Sequence, residues 1–382
     1  MRLGLHSLCL LFAGHLCLSG QTTRNIGRID TSAPVELRGT LPPRAQAAFD
    51  RGHVDSSLLL PELALLFKPS AQQQADLDHF LIEQQDPSSP DYHRWLTPEE
   101  YADRFAVSRS DTKKIENWLT GQGFQISYRA RARNWIAFSG TAAQVERTFR
   151  TPIHRYQVDG EDHYANASDP FIPAALEGVV AAVRGLHNFR LKPLLRVGSG
   201  SGLRPSYTDS FGSHYLAPDD LAAIYNLAPL YNAGINGSGQ KLAIVGQTDI
   251  SMSDLAAFRS IFNLPASAPQ LVLYGSDPGI STNDLPEAEL DLEWSGAIAR
   301  NATLLYVYST DVFTSLQYAI DQNLAPVVSI SYGGCESADS GLLDSFRTMV
   351  QQGATQGIIS LTVLAALRAT RLWSATGLGC RV

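Results

Sequence analysis

The chain has 382 residues, of which 44% are hydrophobic and 18% are charged. This composition is typical of a soluble globular protein with two domains and sizeable cores. The formal net charge of −7 argues against a nucleic-acid or anionic-membrane partner.

The N-terminus has the pattern of a secretory signal peptide over residues 1–20. Arg2 supplies the positive end, residues 7–18 form a short apolar core, and Leu18-Ser19-Gly20 is a small-residue cleavage site. A buried N-terminal helix is the alternative. No later run is long enough to cross a bilayer. We therefore expect a secreted, extracellular protein with no membrane association after signal removal.

Cysteines and histidines are unevenly placed. Cys9 and Cys17 lie in the predicted signal, so only Cys335 and Cys380 could form a disulfide in an oxidising compartment. The last histidine is His214. A Ser-His-Asp triad or a zinc site is therefore not expected in the second half, unless the first half supplies the imidazole.

Residues 58–189 have the pattern of a compact α+β unit. Capping residues Ser70, Thr97 and Thr141 each precede a predicted helix, and a further helix is predicted over residues 111–124. Strands are predicted within residues 124–140 and 153–164, the second with a turn at Asp159-Gly160. The segment "PAALEGVVAAVRGL", residues 173–186, is predicted to be a last apolar helix.

Residues 196–215 are rich in Gly and Ser, which predicts a flexible linker. After it, the apolar runs "KLAIVG", "ATLLYVYS", "VVSISYGG" and "GIISLTVLA" alternate with helical patterns. This alternation predicts a parallel, doubly wound α/β sheet, with any site at the carboxyl ends of its strands. The glycines of "SYGG" would let a backbone or ligand approach closely, although an ordinary turn after a strand has the same composition.

The stretch "DLPEAELDLEWSGAIA", residues 284–299, predicts a helix with an unusual placement of acids. At about 100° per residue, Glu287 and Asp291 lie one turn apart on the edge of an apolar stripe. The apolar stripe is predicted to hold Leu290, Trp294, Ala297 and Ile298. The opposite, charged face is predicted to hold Glu289, Glu293 and Arg300. Two readings remain open: a solvated acidic rim, or a coupled carboxyl pair in a semi-buried site.

Several motifs, in order, resemble those of the sedolisins, the serine-carboxyl peptidases that are made as zymogens. They are "DPSSPDYHRWLTPEEYADRF", "RNWIAFSGTAAQVERTFRTPIHRY", "LAPDDLAAIYNL", "EAELDLE" and "VVSISYGGCE", and the resemblance runs from about residue 55 to 366. It implies an α+β ferredoxin-like propeptide followed by an incomplete α/β doubly wound, subtilisin-like parallel-sheet domain. The implied boundaries are 21–195 for the propeptide, 196–215 for the linker and 216–366 for the N-terminal part of the peptidase domain.

The resemblance also implies roles for individual residues. Glu287 would be the general base for a serine nucleophile, and Asp291 would orient it. Carboxyls suit acid pH, where an imidazole of pKa near 6.5 is already protonated, and a coupled pair can share protons. Ser331, Tyr332 and Gly333 would pair with the substrate backbone as an added strand, the Tyr332 ring helping to shape the pocket.

The chain departs from the family after Ala366. The family strand continues into Gly-Asp-Ser-Gly, whose Asp supplies the oxyanion contact, whereas this chain reads "LRATRLWSATGLGCRV". The family's nucleophilic serine and its Ca²⁺ site, expected in a full-length member, are also missing. Reading the codons one base back from Leu367 allows Gly-Asp-Ser, so we expect a frameshift, in the gene or in the sequencing, to have produced the tail 367–382. In relatives Cys335 has another partner, so no Cys335–Cys380 bridge is expected.

The sequence therefore predicts a secreted serine-carboxyl endopeptidase zymogen that acts on polypeptides at acid pH, with the printed chain itself inactive. Within it, the propeptide is expected to contact the peptidase domain. The alternative is a propeptide-type inhibitor or folding chaperone of a related peptidase. A Rossmann-type nucleotide binder is disfavoured, because "AIVGQTDIS" lacks Gly-x-Gly-x-x-Gly.

Overall fold

Two main sheets organise the chain, an antiparallel one in the first half and a parallel one in the second. The computed structural model describes residues 26–193, 207–208, 212, 214–333 and 340–362. The predicted signal peptide, most of the predicted linker, Cys335, Cys380 and the tail 367–382 lie outside these residues. In the described part of the chain, no helix is both long and apolar enough to cross a membrane.

The described part of the first half contains nine strands and four α-helices. The strands are β1 (Pro34–Glu36), β2 (Asp50–His53), β3 (Leu59–Phe67), β4 (Gln125–Arg129), β5 (Trp135–Thr141), β6 (Ile153–Val158), β7 (Glu161–Asn166), β8 (Phe171–Pro173) and β9 (Val180–Arg184). The helices are α1 (Ala71–Glu83), α2 (Pro98–Phe105), α3 (Arg109–Gly121) and α4 (Ala142–Phe149).

An antiparallel sheet in the order β4-β5-β3-β9 forms the centre of this half. Along the chain its elements follow as β3, α3, β4, β5, α4 and β9, with α1 and α2 inserted before α3. Alternate residues of β3 point to opposite faces. Leu63 and Leu65 pack in a core with α3 and α4, whereas Ala64 and Leu66 join Trp135 on the other face. Both faces of β3 are buried, which explains its nearly continuous apolar sequence.

The predicted helix caps are confirmed, and each of the three is a capping box. Ser70, Thr97 and Thr141 each accept a hydrogen bond from the backbone N–H three residues on, and the side chain at that third position returns one to the cap. The helix predicted from residue 111 begins two residues earlier, because the Ser108 hydroxyl accepts from the backbone N–H of Asp111 and caps it. The hairpin β6–β7 also has its predicted turn, with positive φ at Asp159 and Gly160.

The apolar helix predicted over residues 173–186 is wrong. That segment forms a short 3₁₀ turn, Ala174–Leu176, and then strand β9. Its valines include Val180 and Val183, and β9 pairs antiparallel with β3 at the edge of the central sheet. β-Branched side chains fit such a pleated, half-buried surface well, so tertiary pairing decides this segment.

The second half alternates strands and helices. The strands are β10 (Lys192–Pro193), β11 (Tyr207–Thr208), β12 (His214–Tyr215), β13 (Lys241–Gly246), β14 (Gln270–Leu273), β15 (Thr303–Tyr308), β16 (Val327–Ile330), β17 (Tyr332–Gly333) and β18 (Ile359–Thr362). The helices are α5 (Pro218–Ile224), α6 (Ala228–Asn232), α7 (Met252–Ile261), α8 (Leu285–Ile298), α9 (Val312–Asp321) and α10 (Ser340–Thr355).

The predicted parallel sheet is confirmed, in the order β14-β15-β13-β16-β18. Helices cover both faces. One face of the sheet packs with residues of α9 and α10 such as Leu316 and Met349. The other face packs with Leu255 of α7 and with Ala288 and Leu292 of α8. The sequence did not predict β14, α5 or α6.

The two halves meet along α9. Asp321, the last residue of α9, has no solvent exposure and accepts hydrogen bonds from the backbone N–H groups of Arg131 and Ala132, both at 3.0 Å, and from the hydroxyl of Tyr128. From β9, the guanidinium of Arg184 donates to Gln317 at 3.1 Å. These contacts fix α9 against the antiparallel sheet.

His187 lies between β9 and β10, close to where the two halves meet. Its ring atom Nδ1 is buried without a hydrogen-bond partner among the described residues, and its ring lies 5.8 Å from that of Phe189. Burial lowers the pKa of His187 to about 4, because an imidazolium would lose its hydration; Asp311 opposes this shift. The fold therefore favours the neutral ring.

The stability of the chain should fall in acid through His187. The pKa of His187 is about 4 in the folded chain and near 6.5 in an unfolded one. Its contribution is therefore present above pH 6.5 and is lost as the pH falls toward 4. Between pH 7 and pH 5 it amounts to about 2 kcal/mol. Urea midpoints at the two pH values should differ less in His187→Leu than in the wild type. The same change at exposed His79 serves as control, and an unaltered pH dependence in His187→Leu would contradict the assignment.

Gly185 should tolerate no side chain. Its φ is +83°, and a Cβ there would lie 2.4 Å from the carbonyl oxygen of Glu62. Gly185→Ala should lower the free energy of unfolding by about 2 to 4 kcal/mol, from backbone strain and overpacking together. Gly160→Ala is the matched control, since Gly160 has the same φ with nothing within 4 Å, and should cost about 1 kcal/mol. Urea denaturation followed by circular dichroism measures both, and equal losses would exclude the close contact.

Candidate active site

Helix α8 carries the predicted carboxyl pair. Pro286 occupies its first turn, as expected for a residue that needs no N–H partner there. Asp284 precedes the helix and is 7% exposed. Its carboxylate accepts hydrogen bonds from the Ser281 hydroxyl at 2.6 Å and from Gln247 Nε2 at 2.8 Å. The start of α8 is thus tied to the residue that follows strand β13.

The predicted faces of α8 are partly wrong. Ala297 is buried as expected, but Leu290, Trp294 and Ile298 are only half-buried, and the sheet instead contacts Ala288 and Leu292. Small residues allow this close approach. A Cβ on Gly296, for example, would lie 2.9 Å from Leu304 Cδ1.

The predicted charged face of α8 is not fully solvated. Glu289 accepts a hydrogen bond from the backbone N–H of Ser251 at 3.0 Å, and burial raises its pKa. Burial, with Glu289 and Asp254 nearby, raises the pKa of Glu293 to about 7. Arg300 forms an ion pair with Asp219 at 2.6 Å. Neighbouring helices, including α7, cover this side of α8, and a single-helix projection cannot anticipate them.

Glu287 and Asp291 occupy a semi-buried site. Glu287 is 4% exposed. Asp291 Oδ1 accepts a hydrogen bond from the Ser331 hydroxyl at 2.9 Å, while its Oδ2 has no hydrogen-bond partner in the described part of the chain. Burial raises the pKa of Asp291 to about 7; the Ser331 hydrogen bond opposes the shift and the Glu287 charge adds to it. The structure therefore favours a coupled carboxyl pair over a solvated rim.

Strand β17 lies beside this pair and already has a partner strand. Gly333 pairs with Lys192 and Tyr332 with Pro193, in antiparallel register. The Tyr332 ring is 1% exposed and lies in a core cluster against which Leu191 packs. Thus Ser331 contacts the carboxyl pair, and Tyr332 and Gly333 contact an extended segment of the same chain.

Gln247 is a site residue that the sequence analysis missed. It is 1% exposed. Its Nε2 donates to the carbonyl oxygen of Leu191 at 2.9 Å and to Asp284 Oδ1 at 2.8 Å, and its Oε1 accepts from the backbone N–H of Val312 at 3.3 Å. A polar residue directly after a buried parallel strand was the available signal, because sites collect at that edge of the sheet.

No metal centre is found in the described ranges: no group of three or more His, Cys, Asp or Glu side chains there could hold an ion. The Ca²⁺ that the resemblance implies therefore has no assigned ligand in this part of the chain.

Comparisons with known proteins agree with the order of these features. The family profile of the Pro-kumamolisin activation domain matches residues 46–189. Sedolisin from Pseudomonas sp. (strain 101) is 26% identical over 349 residues, which cover 86% of this chain and 57% of sedolisin. Xanthomonalisin from Xanthomonas sp. (strain T-22) is 27% identical over 307 residues, covering 74% of this chain and 36% of its own length.

A third relative extends the comparison over nearly the whole chain. Tripeptidyl-peptidase 1 from Homo sapiens is 26% identical over 386 residues, covering 97% of this chain and 65% of its own length. The chain thus spans between about a third and two thirds of the length of these three relatives. With an activation-domain profile that matches the first half and peptidase relatives that extend into the second, the chain is similar to the sedolisin type of peptidase zymogen.

Proposed function

We propose that the chain is the zymogen form of a secreted serine-carboxyl endopeptidase, in which Glu287 is the general base and Asp291 orients it. The observation that carries this proposal is the site around α8. There two carboxyls one helical turn apart are withdrawn from water, and one of them accepts a hydrogen bond from Ser331 at 2.9 Å.

The raised pKa of Asp291, about 7, supports catalysis at acid pH. Below that pH Asp291 holds a proton, so the pair carries at most one negative charge and repulsion between its members falls. A neighbouring carboxylate can then accept the proton of a nucleophilic hydroxyl at a pH where an imidazole is already charged. This explains chemically why a peptidase site can do without histidine.

The substrate in this proposal is an extended polypeptide. The edge of β17 binds a peptide by adding it as a strand, as it binds Lys192 and Pro193 in the zymogen. Residues 21–195 then form a ferredoxin-like propeptide, 196–215 a linker, and 216–366 part of a subtilisin-like catalytic domain. Export by a signal peptide over residues 1–20 and a Ca²⁺ requirement of the full-length enzyme complete the proposal.

Peptidase activity in this proposal requires the reading frame to be moved back by one base at codon 367. The sequence after Ala366 contains no Gly-Asp-Ser. Without the oxyanion Asp and the nucleophilic serine of the sedolisin family, the carboxyl pair has no acyl-transfer reaction to assist. We therefore propose that the printed chain is inactive and that the frame-restored protein is a peptidase.

The frame-restored protein should lose activity selectively along α8. Glu287→Gln and Asp291→Asn should each lower kcat/KM at pH 4 by about a thousandfold or more, since each removes part of the base system. Glu289→Gln and Glu293→Gln are matched controls on the same helix and should change it only a few-fold. Hydrolysis of an unstructured protein measures the rates, with circular dichroism to verify folding. Equal losses in all four would contradict the assignment.

The printed chain should show the carboxyl titration without any catalysis. In ¹³C NMR spectra of the chain labelled at its aspartate carboxyls, one signal should titrate near pH 7. That signal should be missing from the spectrum of the Asp291→Asn variant. Ser331→Ala should raise that pKa further, because the serine hydroxyl favours the ionised carboxylate. Ser345→Ala, at another buried serine, is the control. A wild-type spectrum with no aspartate titrating above pH 5 would refute the buried pair.

An inhibitor or folding chaperone of a related peptidase is the second candidate. It is favoured by the segment at Lys192 and Pro193, which lies along β17 as a bound peptide would. Adding the full printed chain to active sedolisin from Pseudomonas sp. distinguishes the two. Nanomolar inhibition would favour this candidate, whereas no inhibition together with activity of the frame-restored protein would favour the zymogen.

A further inference from the structure

The amide of Gln247 has only one orientation that satisfies its neighbours. The backbone N–H of Val312 is a donor, so it must face Oε1. The carbonyl of Leu191 and the carboxylate of Asp284 are acceptors, so both must face Nε2. Val312 and Asp284 belong to the second half of the chain. They orient the amide so that one N–H of Nε2 remains available to a carbonyl from another segment or molecule.

The group that fills this position is an extended backbone. Leu191 immediately precedes the two residues that pair with β17, and its side chain packs against the cluster that contains Tyr332. Its carbonyl therefore reaches Gln247 as part of a strand added to the edge. Main-chain carbonyls recur along every peptide, so a donor at this position recognises a peptide irrespective of its side chains.

We propose that Gln247 is a peptide-binding residue, whose side-chain N–H holds a main-chain carbonyl of any extended peptide that lies along β17. In the zymogen that carbonyl belongs to Leu191. In the processed enzyme it belongs to the substrate, and this second part rests on the proposed function.

The same amide sets where a peptide lies relative to the carboxyl pair. Asp284, which accepts from Nε2, stands three residues before Glu287 and directly before α8. A short path of contacts therefore connects the bound carbonyl, Gln247, Asp284 and the helix of the carboxyl pair. A donor held this way costs little further ordering when a peptide binds.

The test compares two substitutions at position 247. Gln247→Met keeps the volume but removes every hydrogen bond. In the printed chain it should raise hydrogen exchange of the amides in residues 187–192 about tenfold. Gln247→Glu should do the same at pH 7, where a carboxylate faces the Leu191 carbonyl. At pH 4 a protonated carboxyl regains a donor, so exchange should return toward the wild-type value measured at that pH.

The matched control is Gln317→Met. Gln317 is also buried and also contacts the first half, but through Arg184 rather than through residues 191–193. It should change exchange of residues 187–192 by less than twofold. In the frame-restored enzyme, Gln247→Met should raise KM for a peptide substrate about tenfold with kcat within threefold, as expected for loss of a contact made equally in the bound state and transition state.

The outcomes separate the proposal from the proposed function. Unchanged exchange of residues 187–192 in Gln247→Met overturns the binding role, whatever the peptidase does. An equal rise at residues 281–288 overturns it as well, since Gln247 would then only support the start of α8. A raised exchange with an unchanged KM overturns the substrate part. A frame-restored protein without activity defeats the proposed function, while the exchange comparison still decides whether Gln247 binds the segment at Leu191.

Discussion

One buried carboxylate lies at the centre of the contact between α9 and the antiparallel sheet. Asp321 ends α9 without solvent contact, and its hydrogen-bond donors come from Tyr128 at the end of β4 and from Arg131 and Ala132 in the turn before β5. A carboxyl withdrawn from water is costly unless its acceptor sites are filled. The antiparallel sheet must therefore sit on α9 in one position. That position in turn sets where the chain leaves β9, and so where residues 191–193 meet β17.

Burial on both faces of the antiparallel sheet follows from the same docking. The face formed by Ala64, Leu66 and Trp135 does not end in solvent, because Tyr274 from the second half packs against it. Tyr128 also lies among aromatic rings from both halves, with Tyr274 and Tyr318 beside it. The sequence of β3 is thus apolar because the strand packs on both faces, once within the first half and once between the halves.

Local chemistry made part of this structure predictable. Ser70, Thr97 and Thr141 cap their helices through residues three positions away, and the parallel strands are apolar because both faces are covered. Strand β9 was wrongly predicted as a helix because its apolar run fits both structures, and only its pairing with β3 decides between them. The exposed face of α8 was misjudged because α7 lies on it. Helical periodicity placed Glu287 and Asp291 together. For Gln247 the sequence offered only its position after a buried strand, and its contacts with Val312, Asp284 and Leu191 come from the fold.

The short pairing with β17 has a consequence for how firmly the segment at Lys192 and Pro193 is held. A proline has no N–H, so Pro193 can face Tyr332 only as a non-hydrogen-bonded pair, and the ladder depends on the neighbouring pair of Lys192 and Gly333. A strand of only two paired residues has little intrinsic affinity. Its occupancy must then come from tethering, which supplies a millimolar effective concentration at a short distance. Cutting the tether on both sides would convert a saturated contact into a weak bimolecular one, and dilution alone would empty the edge.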